Sequence, residues 1–217
     1  TAAYSSFNKS EGYVVADYYN GYYSPITSWT NGEDLKQQLH DLIRTGYTAI
    51  KYDSPNWQSN IDADHVQDSY FALDGVYTSS DIVAANTNKA WQREHAFCAS
   101  LMTGSLTAQA VKNLGRATDF HNLFASDASA NNSRGNKNYG TADTSKNFGV
   151  ANPSEPTYKM IDGCYSYDNK NFEPAEKDKG RLARAIFYMG TMYKDDEQDT
   201  KNGILMKGLT IKEEYVD

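Results

Sequence analysis

Trp91-Gln92-Arg93-Glu94-His95 and, further along, Thr118-Asp119-Phe120-His121-Asn122-Leu123 are the two stretches on which the reading of this chain turns. Glu94 and His95 are adjacent, so along a strand their side chains point to opposite faces. Both reach one substrate only at a bend or at a strand end beside a cleft. The pair is not part of H-E-x-x-H, which excludes a zincin-type protease site, and the chain carries neither a G-x-S-x-G elbow nor a P-loop. The spacing of 27 residues from His95 to Asn122 accommodates two short strands with an excursion over 98–117 between them.

Outward from this centre the flanks read as scaffold. Thr30-Asn31-Gly32-Glu33 has the T-x-x-E pattern of a capping box. Leu35, Leu39, Leu42 and Ile43 follow at helical spacing, predicting an amphipathic helix over about 33–45 that stops at Gly46. His40 lies beside that stripe and reads as a hydrogen-bonded helix residue. A second helix is predicted over about Lys179 to Tyr193, with Ala183, Ile186, Phe187, Gly190 and Tyr193 on one face. Residues 69–77 predict a strand with a turn at Asp74-Gly75. The segment 135–157, rich in Gly, Asn, Ser, Thr and Pro, predicts a long surface loop. Tyr4 to Tyr23 reads as loop with short extended pieces, His65 as part of a solvated acidic loop, and 201–217 fits a short strand or a helix. The fold class is α+β, one mixed domain over 1–217.

Composition sets the limits. At 217 residues with 39% hydrophobic and 13% aromatic content, the chain is large and apolar enough for a globular core. The net charge of −7 argues against a histone-like binder, since long-range attraction to phosphate is absent. The acidity is uneven: residues 1–90 carry 5 basic and 11 acidic side chains, residues 91–217 carry 16 and 17. The part bearing Glu94 and His95 is thus near neutral. No apolar run approaches a membrane span, so no membrane partner is expected. Two cysteines, Cys98 and Cys164, leave one bridge or two free thiols open. The 17 Tyr, the many Asn and the few Cys suit an extracellular bacterial protein.

Taken in order, these motifs resemble the endonuclease I family, secreted or periplasmic nucleases of the His-Me finger (ββα-metal) group. The matching residues are Arg93-Glu94-His95 after Trp91, Asp119-Phe120-His121-Asn122-Leu123, Ser126-Asp127-Ala128-Ser129-Ala130-Asn131 and Ser133-Arg134-Gly135-Asn136. Gly180 to Met189 is similar to the family's downstream helix, and Leu35 to Ile43 to its early Leu-x-x-x-Leu-His helix. The likeness runs over roughly residues 20–195 in consistent order. One departure is Cys98, where the family usually has Pro.

The resemblance implies a ββα-metal motif at about 91–134, completed by a helix from about Ser126 to Arg134 with Ser126 as N-cap. It implies one Mg²⁺ ion (or Ca²⁺ or Mn²⁺) on oxygen ligands from Glu94 and Asn122, and His95 as general base on the attacking water. His121 is then structural, because adjacent His and Asn face opposite ways. An arginine clamps the scissile phosphate, with Arg184 first and Arg93, Arg116 and Arg134 behind it. Asn131, Asn132 and Asn136 cap helix ends or touch the substrate backbone, Asn136 being the substrate-binding candidate. The implied activity is metal-dependent, sequence-non-specific cleavage of DNA and/or RNA to 5′-phosphate ends, with no protein partner. The alternatives are a phosphodiesterase for smaller phosphate esters and a non-catalytic, Tyr-rich binding module.

Overall fold

The centre of the fold is an antiparallel pair, β4 (Trp91–His95) and β5 (Leu123–Asp127), in the register Trp91↔Asp127, Arg93↔Ala125, Glu94↔Phe124 and His95↔Leu123. This is a computed structural model, and the residues it describes are 21–48, 52, 62, 65–66, 69–73, 75–77, 82–83, 91–102, 115–141, 171–194, 199–201 and 204–206. Side chains alternate across a strand. Trp91, Arg93 and His95 therefore share one face with Leu123, Ala125 and Asp127, and Gln92 and Glu94 share the other with Phe124 and Ser126. Every β4 residue except Gln92 is buried, so both faces are covered and charged side chains lie inside. Val76 adds a parallel bridge to Ser126, with its N–H on the Ala125 carbonyl at 2.8 Å.

A helix follows β5 directly, α2 (Ala128–Arg134). Its N-cap is Asp127, whose carboxylate accepts the Ala130 N–H at 2.9 Å. This corrects the expected Ser126 cap: Ser126 belongs to β5, and its hydroxyl donates to the Gln92 carbonyl at 3.1 Å. Gly135, at φ +54°, ends the helix in a conformation that side chains disfavour.

Two longer helices pack against each other. In α1 (Gly32–Arg44) the cap is Asn31, accepting from the Glu33 and Asp34 N–H groups at 3.1 and 3.3 Å, rather than the expected Thr30. The stop at Gly46 takes φ +77°. His40 is buried and its Nδ1 bonds the Thr191 carbonyl at 2.8 Å, which joins α1 to α3 (Glu176–Met192). On α3 the buried stripe is Leu182, Ala185, Ile186, Met189 and Met192. Phe187, expected on that face, is 56% exposed, because the stripe runs through 182, 185 and 189 and leaves 187 on the far side.

The remaining pairs are small. β1 (His65–Val66), β2 (Ser69–Leu73) and β3 (Ile82–Val83) form an antiparallel sheet. β6 (Asn138–Tyr139) runs parallel to β7 (Asn171–Phe172), and β8 (Asp199–Lys201) is antiparallel to β9 (Ile204–Met206). The expected strand over 69–77 ends at Leu73. The expected loop over 135–157 contains β6, its residues beyond 141 lying outside the described set, as do Tyr4 to Asn20 and 207–217. Among the described residues no helix is long and apolar enough to cross a membrane.

Tyr77, at φ +65°, is the non-glycine residue with positive φ among those described, and its N–H donates to the buried Asp178 carboxylate of α3 at 2.9 Å. Asp178→Ala orphans that buried N–H, so the variant should lose about 1–3 kcal/mol of stability in chemical denaturation. Asp178→Asn keeps an acceptor and should recover most of it.

Candidate functional site

Glu94 is 2% exposed and is met by three donors on the same oxygen. Its Oε1 accepts from Arg134 Nη1 at 2.6 Å, from the Tyr77 hydroxyl at 2.8 Å and from the Tyr139 hydroxyl at 3.4 Å. The two phenols also bond one another. Burial raises the Glu94 pKa, while the Arg134 charge and the three donors pull it back down. Burial and the Glu94 charge also push both phenols upward, against the Arg134 charge, so they stay neutral donors.

Arg134 holds this corner. Besides Glu94 it donates to the carbonyls of His95 at 2.7 Å, Ala96 at 2.9 Å and Lys137 at 3.1 Å, and its guanidinium lies 4.6 Å over the Tyr139 ring. At 3% exposure it fastens the exit of β4 to the end of α2 and presents no guanidinium to solvent. Its position is that of a support for Glu94, not of the substrate contact expected from the sequence.

His95 occupies the opposite face. It is 8% exposed, and Nε2 lies 2.7 Å from the Ala117 carbonyl. A carbonyl only accepts, so Nε2 carries the proton and Nδ1 is the basic nitrogen. The Tyr52 ring stacks on the imidazole at 5.6 Å and 24°, and Arg93, two residues back on the same face, lies 3.6 Å over Tyr52. Glu94 and His95 thus sit next to each other at the end of a strand, one held by a cation and two phenols, the other by a carbonyl and an aromatic ring.

Asn122 ties the hairpin shut where β4 leaves and β5 begins. Its Oδ1 accepts the Phe97 N–H at 2.6 Å and its Nδ2 donates to the Phe97 carbonyl at 3.1 Å, with the residue fully buried. His121 is placed by Asp119, whose Oδ1 is 3.1 Å from Nδ1, and by stacking on Tyr188 at 4.2 Å. The hydrogen bond to Asp119 raises its pKa, with burial opposing.

The other arginines separate by burial. Arg116 is 0% exposed, 5.5 Å over the Tyr193 ring, and so is turned inward. Arg184 is exposed on α3 and folds back along it, Nη1 lying 3.4 Å from where a Gly180 Cβ would stand. Arg181, not singled out by the sequence reading as a site residue, lies 4.7 Å over Phe124, the cross-strand partner of Glu94. Asn136 is exposed just past Gly135, while Asn131 donates to the Gln92 side chain at 3.1 Å. The residues that sequence reasoning missed are Tyr52 and Tyr77, which contact the site from distant segments that only a resolved fold brings together; Asp119, quoted in the motif, had no role assigned to its carboxylate.

Among the described residues no three His, Cys, Asp or Glu side chains form a closed metal cage. Glu94 fits a hard cation in charge and donor type, but such an ion would take most of its coordination from water and phosphate oxygens. Chemically, the strand end offers an imidazole whose Nε2 faces a carbonyl, beside a buried carboxylate.

Residues 31–215 match the family described as Endonuclease I. A protein named Extracellular ribonuclease from Bacillus subtilis (strain 168) is 28% identical over 170 residues, covering 76% of this chain and 51% of its own length. Another Extracellular ribonuclease, from Bacillus amyloliquefaciens, is 30% identical over 176 residues, covering 79% of this chain and 53% of its own. The chain thus spans about half the length of the curated relatives it matches. No solved structure gives a significant match.

Two measurements check this geometry. Arg134→Ala strands Glu94 as a buried, uncompensated charge, so stability at neutral pH should fall by about 3–5 kcal/mol in urea titration. Cys98 is a free thiol, 2% exposed, and burial pushes it up to about 11. From the ordinary value of 9.0 up to about 11 the folded chain retains a proton that the unfolded chain has released. Stability should therefore fall as pH rises through that window, by on the order of 2–3 kcal/mol, and Cys98→Ala should flatten this part of the pH profile.

Proposed function

The chain belongs to the endonuclease I family, and on that premise we propose that it is a secreted, metal-dependent endonuclease hydrolysing phosphodiester bonds of DNA and/or RNA without sequence specificity. The observation that carries this reading is the state of His95: its Nε2 proton is committed to the Ala117 carbonyl, next to the buried carboxylate of Glu94. The names of the two Bacillus relatives support RNA as a substrate and an extracellular location.

His95 Nδ1 takes a proton from the attacking water as the oxygen bonds to phosphorus, and the 3′ oxygen leaves, so the phosphate stays on the 5′ end. The Ala117 carbonyl is well placed to stabilise the imidazolium that results, since it faces the Nε2 proton. Glu94 is the proposed oxygen donor to a single Mg²⁺, Ca²⁺ or Mn²⁺ ion; Asn122, the second donor the resemblance implies, has its amide oxygen engaged by the Phe97 N–H. When bound, that ion supplies positive charge against the pentacovalent phosphorus and the leaving oxygen. Arg184, exposed on α3, is the proposed phosphate clamp, with Arg93 and Asn136 as further contacts.

The test is degradation of plasmid DNA and of RNA with Mg²⁺, with EDTA, and by His95→Ala. Wild type should cut with Mg²⁺ and stop with EDTA, and His95→Ala should lose about 10²–10⁴-fold in rate. Full cutting in EDTA, or full activity of His95→Ala, overturns the mechanism. No cleavage of any nucleic acid, with turnover of small phosphodiesters instead, favours the alternative esterase. Neither activity favours a non-catalytic binding module.

A further inference from the structure

His95 is oriented by a carbonyl, and that carbonyl has to be held in place by something. Ala117 belongs to the short 3₁₀ turn Arg116–Thr118, which is entirely buried and followed by Asp119. Inside the turn, the N–H and hydroxyl of Thr118 both donate to the Gly115 carbonyl, at 3.0 and 2.9 Å. That fixes the turn's own shape but not its position relative to β4. Besides Arg116 over the Tyr193 ring, an external tether is Asp119, 5% exposed. Its Oδ2 accepts the hydroxyls of Tyr188 at 2.9 Å and Tyr193 at 3.0 Å, both from the C-terminal end of α3. Its Oδ1 accepts the N–H of His121 at 2.9 Å, and its carbonyl accepts the Asn122 N–H at 2.9 Å. One carboxylate thus pins the turn to α3 on one side and to the entry of β5 on the other.

From this geometry we infer that Asp119, acting with Tyr188 and Tyr193, is the positioning residue for His95: it fixes the Ala117 carbonyl and thereby the imidazole's tautomer and plane. It does not touch the reacting atoms. Three-centre chains of this kind, in which an outer partner holds the group that holds the imidazole, set ring orientation, and loss of such a partner costs about 10–100-fold in metal or catalytic sites. A shift of the Ala117 carbonyl by about 1 Å suffices for an effect of that size. Asp119 contributes no aimed cation and no exposed surface, which separates this role from substrate binding.

The catalytic arm rests on the nuclease reading; the spectroscopic arm does not. In the full chain, ¹⁵N signals of the His95 ring, assigned by their absence in His95→Gln, should show Nε2 protonated and Nδ1 unprotonated in the neutral form. Tyr188→Phe/Tyr193→Phe removes both donors to Oδ2, and Asp119→Asn keeps the shape of the carboxylate while exchanging one acceptor for a donor. Both should shift His95 toward a mixed tautomer. Both should also lower kcat on RNA or DNA about 10–100-fold with KM within about twofold. Asp119→Glu, which keeps two acceptors, should recover part of both losses. Unchanged His95 signals in a folded variant overturn the inference, even if thermal stability falls. So does a rise in KM with kcat intact. If wild type cleaves nothing while the tautomer still shifts, the activity reading fails and the positioning role stands. If Asp119→Asn does not fold, the single Tyr188→Phe and Tyr193→Phe variants, each removing one donor, carry the same readouts.

Discussion

The Arg134–Glu94 contact is the interaction on which the centre of this molecule depends. A carboxylate on a strand buried on both faces is tolerable only when a cation and hydrogen-bond donors meet it. Arg134 does so while donating to three backbone carbonyls as well. The same guanidinium therefore compensates a charge and satisfies carbonyls at the exit of β4 and just past α2. Because Arg134 closes α2 and Glu94 lies on β4, the pair also fixes the angle at which the helix leaves the hairpin.

The sequence was most legible where residue type and period decide the outcome. The two flanking helices, the strand at Trp91–His95 and the grouping of Glu94 with His95 followed from spacing and from motif order. The errors came from choices between near-equivalent local partners. Thr30 and Asn31 are both good caps, as are Ser126 and Asp127, and in each case the residue whose side chain reached the early N–H groups won. Phe187 was misassigned because a helical stripe one position out of phase still looks apolar.

The site was less legible than the fold, and for a different reason. All the arginines look alike in sequence, but Arg116 and Arg134 are interior and Arg184 is exterior. Burial depends on contacts across the whole chain, such as Arg116 against Tyr193. In the same way, nothing near Glu94 in sequence announces Tyr77 or Tyr139, and nothing near His95 announces Tyr52 or Ala117. Motif spacing brings out Glu94 and His95, while the groups that hold them come from elsewhere in the chain.

The distant origin of those holding groups has a consequence for biosynthesis. Tyr77 meets Asp178 across 101 residues, and Asp119 meets Tyr188 and Tyr193 across 69 and 74. A nascent chain that has already delivered Glu94, His95 and Arg134 still lacks every α3 anchor. The finished geometry of the strand end therefore requires α3 as well as the hairpin and its helix. The organised strand end is thus a property of the assembled chain and not of the segment that carries Glu94, His95 and Arg134.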